Sequence, residues 1–153
     1  MKYSQKFSEV YDDIYYNKNY SRECDFIISK CGINKDILDV GCGTGKHAHI
    51  LAERSKRVTG IDISKAMIEI AKKNYNDKNV IFKNESFKAY IEKINNLEQH
   101  DAVVSLFNVV NHMPSLISLM EFFNCMSKAL KSKGIVVFDC WNSIACAIDP
   151  PYE

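Results

Sequence analysis

The sequence predicts an α/β fold in which a doubly wound, mostly parallel sheet lies between two layers of helices. Two observations carry this. Short apolar runs alternate with longer amphipathic ones along most of the 153 residues, and the first apolar run ends in the glycines Gly41, Gly43 and Gly45 with helical periodicity directly after them. A hydrophobic content of 46% is enough to bury one core, so a single compact domain is expected over 1–153. Within it, 1–34 reads as an N-terminal helical segment or lid and 35–142 as the ligand-binding core. The sheet is expected to lack its last strands at the C-terminal end.

Each element follows from period and punctuation. Ile37 to Val40 is the first strand, and Lys46 to Arg54 a helix with Ala48, Leu51 and Ala52 on one face. Arg57 to Asp62 forms the second strand. The helix after it, Lys65 to Tyr75, places Met67, Ile70 and Ala71 at three-to-four spacing and takes Ser64 as its cap. Asn79 to Lys83 is a third strand, Phe87 to Ile94 a helix, and the polar stretch 95–100 a loop. Asp101 to Leu106 is the fourth strand. Pro114 and Ser115 open a helix that holds Leu116, Leu119, Met120, Phe123, Met126 and Leu130 in period, and Gly134 is expected to supply the positive φ at its exit. Ile135 to Asp139, nearly all apolar, reads as a fifth strand, central and covered on both faces. Upstream, Tyr20 to Lys30 is an amphipathic helix preceded by an aromatic segment with Tyr3, Phe7, Tyr11, Tyr15 and Tyr16.

Composition excludes several classes. Twenty basic residues against 19 acidic ones leave a formal charge of +1, which argues against a nucleic-acid or anionic-membrane surface. The six cysteines, Cys24, Cys31, Cys42, Cys125, Cys140 and Cys146, form no CxxC pair and no zinc spacing, so they read as thiols of a reducing cytoplasm and no metal is expected. The N-terminal residues show no signal pattern, and no stretch approaches the ~20 apolar residues of a membrane span.

Parallel strands with a glycine turn after the first place a ligand at the carboxyl ends of the strands, where the strand order reverses. In Asp39-Val40-Gly41-Cys42-Gly43-Thr44-Gly45 the glycines let the main chain turn tightly and approach a ligand closely. A dinucleotide fingerprint would need glycine at position 46, where Lys46 stands, which disfavours a nicotinamide-dependent oxidoreductase. The acidic Asp39 instead complements a ligand carrying a sulfonium and an α-amino group. Asp62, at the end of the second strand, can accept two hydrogen bonds from a ribose diol.

Four segments, LDVGCGTGKH, VTGIDIS with the following MI, HDAVVSLFNVVNHM and ALKSKGIVVFDCWN, resemble the successive motifs of class I S-adenosylmethionine-dependent methyltransferases, which have a Rossmann-like fold. They cover about residues 36–142. YDDIYYNKNY, NVVNH and FDCWN are more narrowly similar to small-molecule methyltransferases, including N-methyltransferases of nucleotide-linked amino sugars. The resemblance implies S-adenosyl-L-methionine as cofactor and a small-molecule acceptor. Gly41, Cys42, Gly43 and Gly45 would line its methionine and adenosine portion, Asp62 would hold the ribose, and Ile63 and Met67 would pack on adenine. Glu85 and Ser86 stand where the family has a Gly-Asp-Ala turn, with Glu85 toward the adenine amino group. Phe107 and Asn108 would flank the methionyl arm. Tyr15 and Tyr20 read either as residues that close over the donor and bind its carboxylate or as aromatics that only pack.

His112, after the fourth strand, is the candidate base for an acceptor proton, while His47, His49 and His100 read as surface or packing residues. Trp141 and Asn142 either shape an acceptor pocket or, for Trp141, plug the core. The family normally adds two more strands after the fifth, so the chain is expected to be a fragment. A non-catalytic donor-binding or assembly module is the alternative to an enzyme that methylates a small nitrogen or oxygen nucleophile.

Overall fold

The alternation of side chains along each strand sets the layers, because successive residues point to opposite faces. The computed structural model describes residues 5–94, 99–142 and 148. Its elements are α1 (Gln5–Ile14), α2 (Tyr20–Cys31), β1 (Asp36–Val40), α3 (Lys46–Ala52), β2 (Arg57–Asp62), α4 (Lys65–Asn74), β3 (Val80–Asn84), α5 (Phe87–Ile94), β4 (His100–Ser105), a short 3₁₀ turn (Val109–His112), α6 (Leu116–Ala129) and β5 (Leu130–Phe138). The five strands are all parallel in the order β3-β2-β1-β4-β5. This is the Rossmann-like α/β sandwich the sequence predicts.

β1 sits in the centre, with Ile37 beside Val58 on β2 and beside Ala102 on β4. Ile37, Val58, Ala102 and Val104 face one core with Ile27 of α2, Leu51 of α3 and Ala71 of α4. Leu38, Val40, Ile61 and Val103 face the other, with Tyr90 of α5 and Phe122 and Met126 of α6. Each large aliphatic side chain so buried contributes about 1.5–3 kcal/mol relative to exposure. Ser64 caps α4 as expected, accepting from the Met67 N–H at 3.4 Å, and Ser115 caps α6, accepting from the Ser118 N–H at 3.1 Å.

Several expectations are revised or narrowed. The aromatic segment before α2 contains a helix, α1, because Phe7, Tyr11 and Tyr15 recur every four residues and so stack on one helical face; their ring centroids lie 5.7 and 4.8 Å apart. β5 is the last strand among the described residues and has β4 as its neighbour, so it is half-buried and ends in the exposed Phe138 rather than lying at the centre. The left-handed residue beyond α6 is Lys133, at φ 66°, and not Gly134. Gly134 is required for space instead, since a Cβ there would stand 3.0 Å from the Lys131 carbonyl and 3.1 Å from that of Asp101. His100 lies not in a loop but at the start of β4, buried, with Nε2 2.9 Å from the Tyr90 hydroxyl. Burial disfavours its cation, and with Arg57 nearby this pushes the imidazole down to about 4. Trp141 is about half exposed and so does not plug the core.

Gly45 closes the first turn at φ +86°, with Phe82 and Ala71 packed so tightly that a Cβ would lie 2.7 Å from the Phe82 ring. Substitution Gly45→Ala therefore combines overpacking with a strained backbone and is expected to cost about 2–4 kcal/mol in urea unfolding. A loss under about 1 kcal/mol would show that the turn relaxes freely.

Candidate functional site

At the carboxyl ends of the strands, where chain connections leave β1 and β4 toward opposite sides, the structure opens a cavity of about 360 Å³. Of the residues singled out from sequence, Gly41, Gly43, Asp62, Ile63, Met67, Glu85, Phe107 and His112 line it. Tyr15, Tyr20, Asp39, Cys42, Gly45, Ser86 and Asn108 do not. Sequence reasoning missed Tyr11 from α1, Phe87 and Lys88 from α5, and Ser118, Glu121, Phe122 and Cys125 from α6. These come from helices distant in sequence, and no motif marks them.

Asp62 ends β2 with its carboxylate turned back over the glycine turn. Oδ2 accepts from the Gly43 N–H at 3.0 Å and Oδ1 from the Ser64 N–H at 2.7 Å. Each oxygen retains capacity for a further donor. Burial raises its pKa against the lowering effect of these two bonds. On the opposite side of the turn, Gly41 at φ +76° is packed against Val109, whose Cγ2 would stand 2.5 Å from an added Cβ. Glu85 follows β3, and one oxygen meets Lys93 at 3.0 Å while Oε2 is buried with no hydrogen-bond partner among the described residues. Ser86 caps α5 instead of facing the cavity, accepting from the Ala89 N–H at 3.2 Å.

Asp39 lies within the protein behind the turn. It is 2% exposed, Oδ2 has no partner among the described residues, and burial pushes its carboxyl up to about 6. Cys42 is buried against Gly60, and its thiol is pushed well up by the same effect.

The N-terminal elements cover this turn. Thr44 donates its hydroxyl proton to Asp12 of α1 at 2.7 Å, and Lys46 approaches the same carboxylate at 3.8 Å. Tyr20 is buried beside Lys18 and Lys46, its hydroxyl unpartnered among the described residues and pushed up to about 12 by burial. His47 is buried and pairs with Glu23 at 2.6 Å, which holds that carboxylate below its ordinary value; His49 pairs with Asp77 at 2.7 Å and stacks on Tyr75. These two histidines pack, as read from sequence.

After β4 the chain makes an unusual bend. Phe107 and Asn108 both adopt left-handed backbone, at φ 64° and 63°, a conformation that costs a residue with a Cβ about 1–2 kcal/mol. The carboxylate of Asp139, just past β5, accepts both of their N–H groups, at 2.8 and 2.6 Å. Tyr15 packs edge-on against the Phe107 ring at 4.6 Å, and the Lys18 ammonium stands 4.6 Å from its centroid. His112 is exposed at the end of the 3₁₀ turn, and its neighbour Asn111 accepts from the Trp141 N–H at 3.0 Å.

Among the described residues no cluster of three or more His, Cys, Asp or Glu side chains could hold a metal ion, and no helix is long and apolar enough to cross a membrane.

Residues 37–134 match the family model described as a methyltransferase domain. The chain belongs to this methyltransferase family. YqeM of Bacillus subtilis (strain 168), provisionally named a methyltransferase, is 30% identical over 94% of this chain and 57% of its own length. The malonyl-[acyl-carrier protein] O-methyltransferase of Acetivibrio thermocellus is 36% identical over 67% of this chain and 34% of its own. Among solved structures, an S-adenosylmethionine-dependent methyltransferase from Clostridium acetobutylicum superposes with a TM-score of 0.75 at 26% identity, covering 94% of this chain and 59% of that one. CalS10, an amino pentose methyltransferase from Micromonospora echinaspora with S-adenosylmethionine bound, has a TM-score of 0.73 at 24% identity, covering 93% and 58%, and so shares the fold. The chain spans about half the length of the curated relatives it matches.

Two buried titratable groups of this methyltransferase domain, Asp39 and His100, oppose one another with pH. Asp39, raised from 3.8 to about 6, contributes stability that is present below pH 4 and lost as pH rises through 6. His100, lowered from 6.5 to about 4, contributes stability that is present above pH 6.5 and lost as pH falls toward 4. Asp39→Asn removes the first slope and leaves the second in place. Relative to wild type, the variant should gain roughly 1–3 kcal/mol between acid and neutral pH, read from urea unfolding at both; a difference independent of pH would remove Asp39 as its source.

Proposed function

We propose that this chain is the donor-binding part of an S-adenosylmethionine-dependent methyltransferase acting on a small-molecule nitrogen or oxygen nucleophile, with amino sugars as the acceptor class. One observation carries the reading: a carboxylate, Asp62, is fixed by two backbone N–H groups on the cavity wall beside the glycine turn, whose Gly41 and Gly43 line the same cavity, with acceptor capacity left for a ribose diol. The residues present fit the cofactor in other respects. Glu85 Oε2, without a partner among the described residues, suits an adenine amino group, and Ile63 and Met67 offer apolar surface. When bound, S-adenosylmethionine supplies a methyl group already activated by its sulfonium.

The chain's own work is then to orient and to exclude water. α1 and the segment through Tyr20 act as a lid, with Asp12 hydrogen-bonded to Thr44 and Tyr11 and Tyr15 against Phe107. His112 at the rim holds the position from which an imidazole would accept a proton from an incoming amine or hydroxyl. The amino-sugar assignment rests on the motif resemblance, and the likeness to an amino pentose methyltransferase supports it.

Isothermal titration with S-adenosylhomocysteine tests the reading. Wild type should bind, and Asp62→Ala should weaken binding by about 30-fold or more, roughly 2 kcal/mol. Because Asp62 also ties Gly43 and Ser64, the variant's thermal unfolding is followed in parallel. Equal affinity in both proteins would remove Asp62 from the site, and NAD binding in its place would favour a dinucleotide enzyme.

A further inference from the structure

Phe107 touches both halves of the proposed site: its ring lines the cavity, and Tyr11 and Tyr15 pack on it at 6.1 and 4.6 Å. The bend that presents it there falls on two consecutive residues with Cβ atoms, both left-handed. Nothing within β4 enforces this. The constraint comes from the residue just past β5, where the two oxygens of Asp139 take the two N–H groups of Phe107 and Asn108. Asp139 is tied back in turn, since its own N–H donates to the Ser105 carbonyl at 3.3 Å. We propose that Asp139 is a positioning residue that aims Phe107 into the donor cavity and thereby seats α1 over it. Asp139 does not line the cavity itself, so it acts through the backbone of Phe107. Its effect on donor affinity rests on the donor-binding reading above; its effect on α1 does not.

The variant Asp139→Asn keeps the side chain's shape but leaves one acceptor oxygen for two N–H groups and turns an NH₂ toward the other. It should raise the Kd for S-adenosylhomocysteine about tenfold, near 1.4 kcal/mol, and speed amide exchange in α1 while β1 and β4 stay protected. A merely structural loss would lower protection throughout. Asn108→Gly is the suppressor, because glycine adopts the left-handed backbone without steric cost; added to Asp139→Asn it should restore most of the lost affinity.

Unchanged affinity in Asp139→Asn, or a double variant as weak as the single one, overturns the assignment. If Asp139→Asn does not fold, recovery of folding in the double variant supports it and continued failure overturns it. Should wild type not bind S-adenosylhomocysteine, the donor reading falls, and exchange in α1 still decides: faster in Asp139→Asn supports the clamp, unchanged overturns it.

Discussion

The carboxylate of Asp62 ties together two backbone segments that meet at the cavity wall. Its oxygens hold the N–H of Gly43 in the first turn and the N–H of Ser64 at the start of α4. Both bonds are part-buried, and a donor left buried and unpaired costs about 1–3 kcal/mol. The same bonds stiffen the rim where β1 and β2 end. The glycine turn, the cap of α4 and the cavity wall therefore stand or fall together, and the proposed ribose contact uses an acceptor that is already immobilised.

Burial around this rim has electrostatic consequences that the exposed surface lacks. Asp39 lies behind the turn without a partner for Oδ2, and His100 sits at the opposite end of the sheet with Nδ1 likewise unpartnered among the described residues. Both are driven toward their neutral forms, the acid upward and the base downward, by desolvation. Asp62, by contrast, lines the cavity, and two N–H groups oppose the effect of burial on its carboxylate.

The second side of the cavity is built differently. After β1 the backbone bends at glycines, which tolerate positive φ. After β4 the bend falls on Phe107 and Asn108, and the side chain of Asp139, just past β5, compensates for it. Strain of this kind persists only where surrounding structure determines it. It couples three parts of the chain distant in sequence: the lid aromatics of α1, the loop after β4, and the end of β5.

Much of this architecture was legible in the residues themselves. Strand and helix periods, the Ser64 and Ser115 caps, the turn at Gly41 to Gly45 and the carboxylate at Asp62 are local signals, each decided by backbone sterics or by spacing within a few residues. Tyr11, the cavity residues of α5 and α6, and the role of Asp139 were not legible, because each depends on which elements the parallel sheet brings side by side. The half-buried state of β5 is equally a matter of neighbours, since an apolar run reads alike at the centre of a sheet and at its end. Local chemistry determined which turn could admit a ligand; only the tertiary packing decided what walls it, because contacts between strands carry no mark in the sequence of either one.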